Sequence, residues 1–65
     1  MTIKVNGKLQ TTEARTVADL LAEMQAPCSG VAVALNGQVV RRAEQPLTLL
    51  HEHDELEIIY AVQGG

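Results

Sequence analysis

The dipeptide Asn-Gly occurs twice in this chain of 65 residues, each time between two short apolar runs. Asn6-Gly7 follows an alternating segment, and Asn36-Gly37 follows the apolar run Val31–Leu35. Asn and Gly tolerate the positive φ angles of tight hairpin turns, so the pattern predicts two β-hairpins.

The register of each hairpin depends on the length of its loop. A two-residue loop at Asn6-Gly7 would place Val5 opposite Lys8, which mixes apolar and polar side chains on one face. A three-residue connection would pair apolar with apolar side chains, and in the second hairpin it would align Leu35 with Val39. We therefore expect three-residue loops in both hairpins.

A helix is predicted between the two hairpins. Thr16 is a suitable N-cap, and Asp19 lies in the first turn, where a negative charge favours the helix dipole. Pro27 is expected to end the helix near Gln25 or Ala26. Four apolar residues recur at helical spacing and are predicted to be core rather than a partner-binding stripe: Val17, Leu20, Leu21 and Met24.

The last predicted strand spans residues 55–62. One of its faces carries Leu56, Ile58, Tyr60 and Val62, and the other carries Glu55, Glu57, Ile59 and Ala61. Before it, residues 43–46 suggest one helical turn and residues 51–54 a polar turn.

With a crossover helix between hairpins, the two terminal strands can lie side by side and parallel in the middle of the sheet. The predicted fold class is α+β: a β-grasp roll with a mixed four- to five-stranded sheet and one main helix on one face. We expect one domain over residues 1–65, with residues 63–65 as an extended flexible C-terminal tail.

Composition excludes several classes of function. The net charge is -3, and the chain has one Tyr but no Phe or Trp, so nucleic-acid binding is not expected. The single Cys allows no internal disulfide framework and favours a reducing cytoplasm. No apolar stretch is long enough to span a membrane. We expect a cytoplasmic protein that is monomeric when free, with a basic groove as the natural complement on a partner.

Two further candidates for chemistry are weak. His51 and His53 stand beside acidic residues but lack the second ligand pair of a strong metal motif, so a solvated turn without metal is expected. Cys28 has no His near it in the sequence, and a small, partly buried residue is a better interpretation than a sulfur-handling nucleophile.

The sequence ends in Gly64-Gly65, directly after the last predicted strand. A terminal carboxylate is a poor electrophile, but an acyl-adenylate is a good one, and a persulfide can displace AMP from it to leave a thiocarboxylate. Two residues without side chains would let the backbone enter a narrow active site. The alternative is a merely frayed end, which an isolated Gly-Gly would favour.

The element order, residues 31–40 and the ending Gly64-Gly65 together resemble the ThiS family, the sulfur carriers of thiamin biosynthesis. Asn36, Val40 and Arg42 match positions that its members typically carry after the central strand. The resemblance covers the whole chain and implies a ubiquitin-like β-grasp fold. The family usually has Gly where this chain has His53, which is tolerable if that residue needs a positive φ, and it commonly has an aromatic residue in the connector, which is missing here.

The resemblance implies a sulfur carrier that is acted on by enzymes and is not itself one. A ThiF-like adenylating enzyme would use ATP to activate Gly65, with Gly64 giving access, and no cofactor would be bound stably. A desulfurase or sulfurtransferase would supply sulfur, and thiazole synthase would receive it. The alternatives are a sister carrier for molybdopterin or another sulfur metabolite, and a β-grasp interaction domain whose tail has no role.

A carrier also needs a docking surface. We expect it at Ile59, Ala61, Val62 and Gln63, beside Ala32 and Ala34 and with Glu55 and Glu57 at the rim. The alternative is ordinary scattered apolar surface.

Overall fold

The computed structural model describes residues 1–26 and 30–60. Within them the chain forms one five-stranded sheet with the strand order β2-β1-β5-β3-β4. The elements in chain order are β1 (Thr2–Val5), β2 (Lys8–Thr11), α1 (Val17–Glu23), β3 (Val31–Leu35), β4 (Gln38–Val40), a 3-10 helix (Arg42–Leu47) and β5 (Glu55–Tyr60).

The two terminal strands lie next to each other and run parallel, as predicted. Lys4 is opposite Glu55 and Val5 is opposite Leu56. On its other side β5 is antiparallel to β3 along its length. The last strand is therefore the central strand of the sheet, and the predicted α+β fold class with one helix on a mixed sheet is confirmed.

Both hairpin loops contain two residues, so the prediction of three-residue loops was wrong. Val5 is opposite Lys8 and Leu35 is opposite Gln38. Asn6 and Gly7 have φ angles of 51° and 84°, and the corresponding residues of the second hairpin have nearly the same values. Two successive positive φ angles define a type I′ turn, whose twist matches that of the strands it joins. Turn geometry therefore decided the register.

The two-residue loops disturb the pairing of apolar side chains only slightly. In the second hairpin Val33 still faces Val40 on the core side, and Ala34 faces Val39 on the other side. In the first hairpin the mismatch falls on the edge strand β2, where Leu9 points outward and is 70% exposed. Leu9 lies opposite Lys4 on the sheet face away from α1, so its exposure leaves no gap in the core.

Helix α1 begins as predicted. The Thr16 hydroxyl oxygen accepts a hydrogen bond from the Asp19 backbone N–H at 3.1 Å. The helix ends at Glu23, two residues before the expected limit, because Gln25 adopts a φ of 58°. The Ala26 N–H then donates to the Leu21 carbonyl at 2.9 Å, one of the bonds of a Schellman motif. Pro27, the expected terminator, lies outside the described residues.

The hydrophobic core lies between α1 and one face of the sheet. Met24 is partly buried and packs against it, while the other three predicted helix residues are buried in it. The core comprises Ile3, Val5, Ala14, Val17, Leu20, Leu21, Val33, Val40, Leu50, Leu56 and Ile58. The predicted turn at residues 43–46 is part of the 3-10 helix, which contacts α1. Within the described part of the chain, no helix is long and apolar enough to cross a membrane.

His53 adopts a φ of 70°, the positive value that a Gly would accept without strain. Its backbone N–H donates to the Thr2 carbonyl at 2.7 Å, so the conformation is used to tie the turn to β1. We expect His53→Gly to raise the free energy of unfolding by about 0.5–1 kcal/mol, since a left-handed non-Gly residue costs about 1–2 kcal/mol and Gly loses part of that gain as backbone entropy. Urea denaturation measures the change.

His53→Ala is the matched control for this prediction. Alanine also removes the imidazole but keeps the Cβ atom that makes a positive φ unfavourable. We expect no gain in stability from it. Equal stabilisation by both variants would show that the side chain, not the backbone conformation, is responsible.

Candidate functional site: the outer sheet face and the strand that leads to the tail

The central strand β5 is the element that delivers the C-terminal residues. Tyr60 is its last described residue, and it lies opposite Val31 in the middle of the sheet. The predicted reactive residues Gly64 and Gly65 lie outside the described residues. So do three of the predicted partner-binding residues, Ala61, Val62 and Gln63. Their roles remain predictions.

The face of the sheet opposite α1 brings the other predicted docking residues together. Ile59, which is 56% exposed, pairs with Ala32, and Ala34 lies one row further along β3. Val39 extends the same surface, because it is opposite Ala34 and is 76% exposed. We call these four residues (Ala32, Ala34, Val39 and Ile59) the outer-face patch.

Val39 is the member that sequence reasoning missed. The three-residue loop assumed for the second hairpin aligned Val39 with Leu35, which is a core-side residue. The two-residue register moves Val39 by one position, and a shift of one residue changes the face on which a side chain lies. The preference of Asn36-Gly37 for a two-residue type I′ turn was sufficient to predict that Val39 lies on the outer face.

Charged residues border the outer-face patch on the side of β1. Glu57 is opposite Ala34, and Glu55 lies two residues before it on the same face. The Lys4 ammonium is 3.8 Å from a Glu55 carboxylate oxygen, with both side chains substantially exposed. Such a surface pair contributes little stability and is easily exchanged for a partner's charge. A shallow cleft of about 500 Å³ runs among these residues.

The two hairpin turns hold β5 from opposite sides. The Ile58 N–H donates to the Asn6 side-chain oxygen at 2.7 Å, and the Asn6 N–H donates to the Leu56 carbonyl at 2.9 Å. On the other side, the Glu55 N–H donates to the Asn36 side-chain oxygen at 2.9 Å, and the Asn36 N–H donates to the Glu55 carbonyl at 2.7 Å. Both Asn residues therefore extend the hydrogen bonding of the central strand.

The residues considered for a metal have local roles in the turn before β5. The His51 N–H donates to an Asp54 carboxylate oxygen at 2.8 Å, and the Thr2 N–H donates to the Glu52 carboxylate at 2.8 Å. Among residues 1–26 and 30–60, no group of three His, Cys, Asp or Glu side chains is placed to hold a metal ion. Cys28 lies outside the described residues, so its expected passive role remains a prediction.

The architecture defines the class of this protein: a β-grasp domain of the ubiquitin-like kind, in which β5 is central and the described helices leave one sheet face uncovered. Comparison with family models matches residues 3–65 to the ThiS family. This chain belongs to the ThiS family. The predicted family is confirmed. The predicted function is confirmed with it: the protein is a sulfur carrier of thiamin biosynthesis and is not itself a catalyst.

Individual relatives agree with this assignment. A Thermus thermophilus protein named sulfur carrier protein ThiS is 34% identical over 61 residues, which cover 94% of this chain and 95% of the relative. The crystal structure of a thiamine biosynthesis protein, ThiS, from Geobacter metallireducens superposes with a TM-score of 0.86 at 33% identity and full coverage of both chains. A solution structure of a thiamine biosynthesis protein from the same organism gives 0.80 at 33% identity, covering all of this chain and 88% of the other.

Proposed function

We propose that Gly65 is the sulfur-bearing residue of this carrier. A ThiF-like enzyme transfers AMP from ATP to the Gly65 carboxylate and releases pyrophosphate. The terminal sulfur of a persulfide then attacks the acyl carbon and AMP leaves, which gives an acyl disulfide. A second thiol attacks the other sulfur of that S–S bond, so a new disulfide forms and the Gly65 thiocarboxylate is released. The observation that carries the proposal is the family match, which extends to Gly65 itself.

In this proposal the folded domain holds the tail and presents it to the adenylating enzyme. The central strand β5 holds Tyr60, five residues before Gly65, beside Val31 of β3. The five residues 61–65 span at most about 16–18 Å when fully extended, at about 3.3–3.6 Å each, which is enough to enter a deep active site while the globular part stays outside. Gly64 and Gly65 present no side chain that would obstruct entry.

The outer-face patch supplies the docking surface. Its apolar centre suits apolar side chains of the adenylating enzyme, and the acidic rim of Glu55 and Glu57 suits a basic border on that enzyme. Ala61, Val62 and Gln63, which follow Tyr60 in the sequence, complete the partner-binding set in this proposal. ATP belongs to the partner's site, and this chain holds no stably bound cofactor.

The sulfur acceptor in this proposal is thiazole synthase, and the donor is a desulfurase or sulfurtransferase. We place the carrier in the cytoplasm with these enzymes, as a monomer when free. A sister carrier for molybdopterin would share the tail chemistry but deliver sulfur to a different acceptor.

Reconstitution with each acceptor separates the two pathways. The loaded carrier is supplied to the thiazole-forming system and, in parallel, to the large subunit of molybdopterin synthase. We expect thiazole product and no molybdopterin. Sulfur delivery to molybdopterin alone would overturn the assignment to thiamin while leaving the thiocarboxylate chemistry intact.

A further inference from the structure

Strand β5 extends beyond the strand that supports one of its sides. Pairing between β1 and β5 ends at Val5 and Leu56, because the chain turns away at Asn6-Gly7. The remaining described part of β5, residues 57–60, keeps β3 on its other side. We call residues 57–60 the root of the tail. If backbone pairing between strands were its sole support, the root of the tail would be held on one side, by β3.

The Asn6 side chain replaces the missing strand. Its amide oxygen accepts the Ile58 N–H at 2.7 Å in a partly buried position, where the carbonyl of a continuing β1 would otherwise be. The same residue must adopt a φ of 51° for the type I′ turn. Gly would accept that angle but has no side-chain oxygen, whereas Asn meets both requirements. The bond extends two-sided support to within two residues of Tyr60.

Asn36 offers a comparison at the opposite end of β5. It also has a φ of 51°, and its oxygen accepts the Glu55 N–H at 2.9 Å. Its amide nitrogen donates in addition to an Asp54 carboxylate oxygen at 3.1 Å. Both turns thus bond to β5 in the same manner, but Asn36 holds the first residue of the strand and Asn6 holds the part that leads into the tail.

We propose that Asn6 is a positioning residue for sulfur loading, acting through Ile58 to hold the root of the tail in one orientation. The inference rests on the proposed function of Gly65. Docking occurs through the outer-face patch, which the Asn6 bond does not form. Loss of the bond therefore leaves association intact and lowers the fraction of docked carriers whose tail is correctly aligned.

Three variants test this inference. Asn6→Gly keeps the turn but removes the acceptor, and Asn6→Asp keeps both a suitable turn residue and a carboxylate acceptor. Asn36→Gly is the matched control, because it removes the equivalent acceptor at the far end of the same strand. For each variant the measurements are urea denaturation, amide hydrogen exchange at Ile58, and kcat and KM for loading by the adenylating enzyme with ATP and a sulfur source.

We expect Asn6→Gly to speed exchange at Ile58 and to lower kcat about tenfold with little change in KM, since small misplacements of a reacting group are costly. Asn6→Asp should retain the kcat of the unaltered carrier, and any effect of its added charge should fall on KM. Asn36→Gly should lose stability but keep kcat.

Two results would overturn the positioning role. One is an unchanged kcat for Asn6→Gly in a carrier that is loaded normally, and the other is an equal fall in kcat for Asn36→Gly. If the unaltered carrier is never loaded, the proposed function of Gly65 fails and the positioning role fails with it. The exchange rate at Ile58 then still reports whether Asn6 holds the strand.

Discussion

Ile59→Asp is expected to lower kcat/KM for sulfur loading at least about tenfold, equivalent to about 1.4 kcal/mol. Ile59 is the largest apolar side chain of the outer-face patch, and central apolar residues contribute most of the affinity of a docking surface. Aspartate would bring a charge into an interface that has to exclude water, close to the carboxylate of Glu57. Steady-state kinetics of loading measure the loss.

The fold should tolerate this change because Ile59 is 56% exposed and lies outside the core. Leu49→Asp is the matched control, since Leu49 is also an exposed apolar residue (60%) but pairs with Thr16 at the start of α1 rather than belonging to the outer-face patch. We expect it to leave loading unchanged. A folded Ile59→Asp carrier with full kcat/KM would remove the outer-face patch from the account.

Deletion of Gly65 is expected to abolish loading. The shortened chain still ends in a glycine carboxylate, but that group falls short of the reaction centre by one residue, about 3.3–3.6 Å. A displacement of about 1 Å can already cost about a hundredfold in rate. The urea midpoint should not change, because the residue lies seven positions beyond Ile58, the last core residue within the described part of the chain.

Gly65→Ala tests whether the active site requires a residue without a side chain, independently of the length of the tail. It keeps the position of the carboxylate and adds only a methyl group, so a wide active site would tolerate it and a narrow one would not. A β-grasp domain that acts only by binding would keep its partner function without Gly65. Retention of sulfur loading by the shortened chain would contradict the role assigned to this residue.

The sequence was sufficient for the elements and for the class of fold. Helix α1, its Thr16 cap and its buried face follow from local rules that tertiary contacts did not override. The parallel neighbours β1 and β5 follow from the element order, since a crossover helix between two hairpins leaves few other arrangements.

Register and side-chain hydrogen bonds were harder to predict. Apolar matching suggested longer loops, but the backbone of Asn-Gly prefers the two-residue turn, and the cost fell on the exposed Leu9. The bonds from Asn6 and Asn36 to β5 join residues far apart in the chain, by 52 positions for Ile58 and Asn6. No local pattern shows which strand a turn residue will meet.

The fold provides a rigid support for the C-terminal tail. The central strand β5 is hydrogen-bonded on both sides as far as Ile58, so the domain holds the root of the tail in place. Among the described residues, the core that fixes this strand lies on the face covered by α1, and the proposed docking surface lies on the other face. If the proposed docking surface is correct, folding and partner binding use opposite faces of one sheet.

Intact-mass analysis of the carrier tests the central claim most directly. The protein is incubated with the adenylating enzyme, ATP and a sulfur source, and the chain lacking Gly65 is treated in parallel. The account predicts that the full chain gains the mass of one oxygen replaced by sulfur, located by fragmentation at Gly65, while the shortened chain is unchanged. An unmodified full chain under conditions in which the enzyme is active, or sulfur found at Cys28 instead, would contradict it.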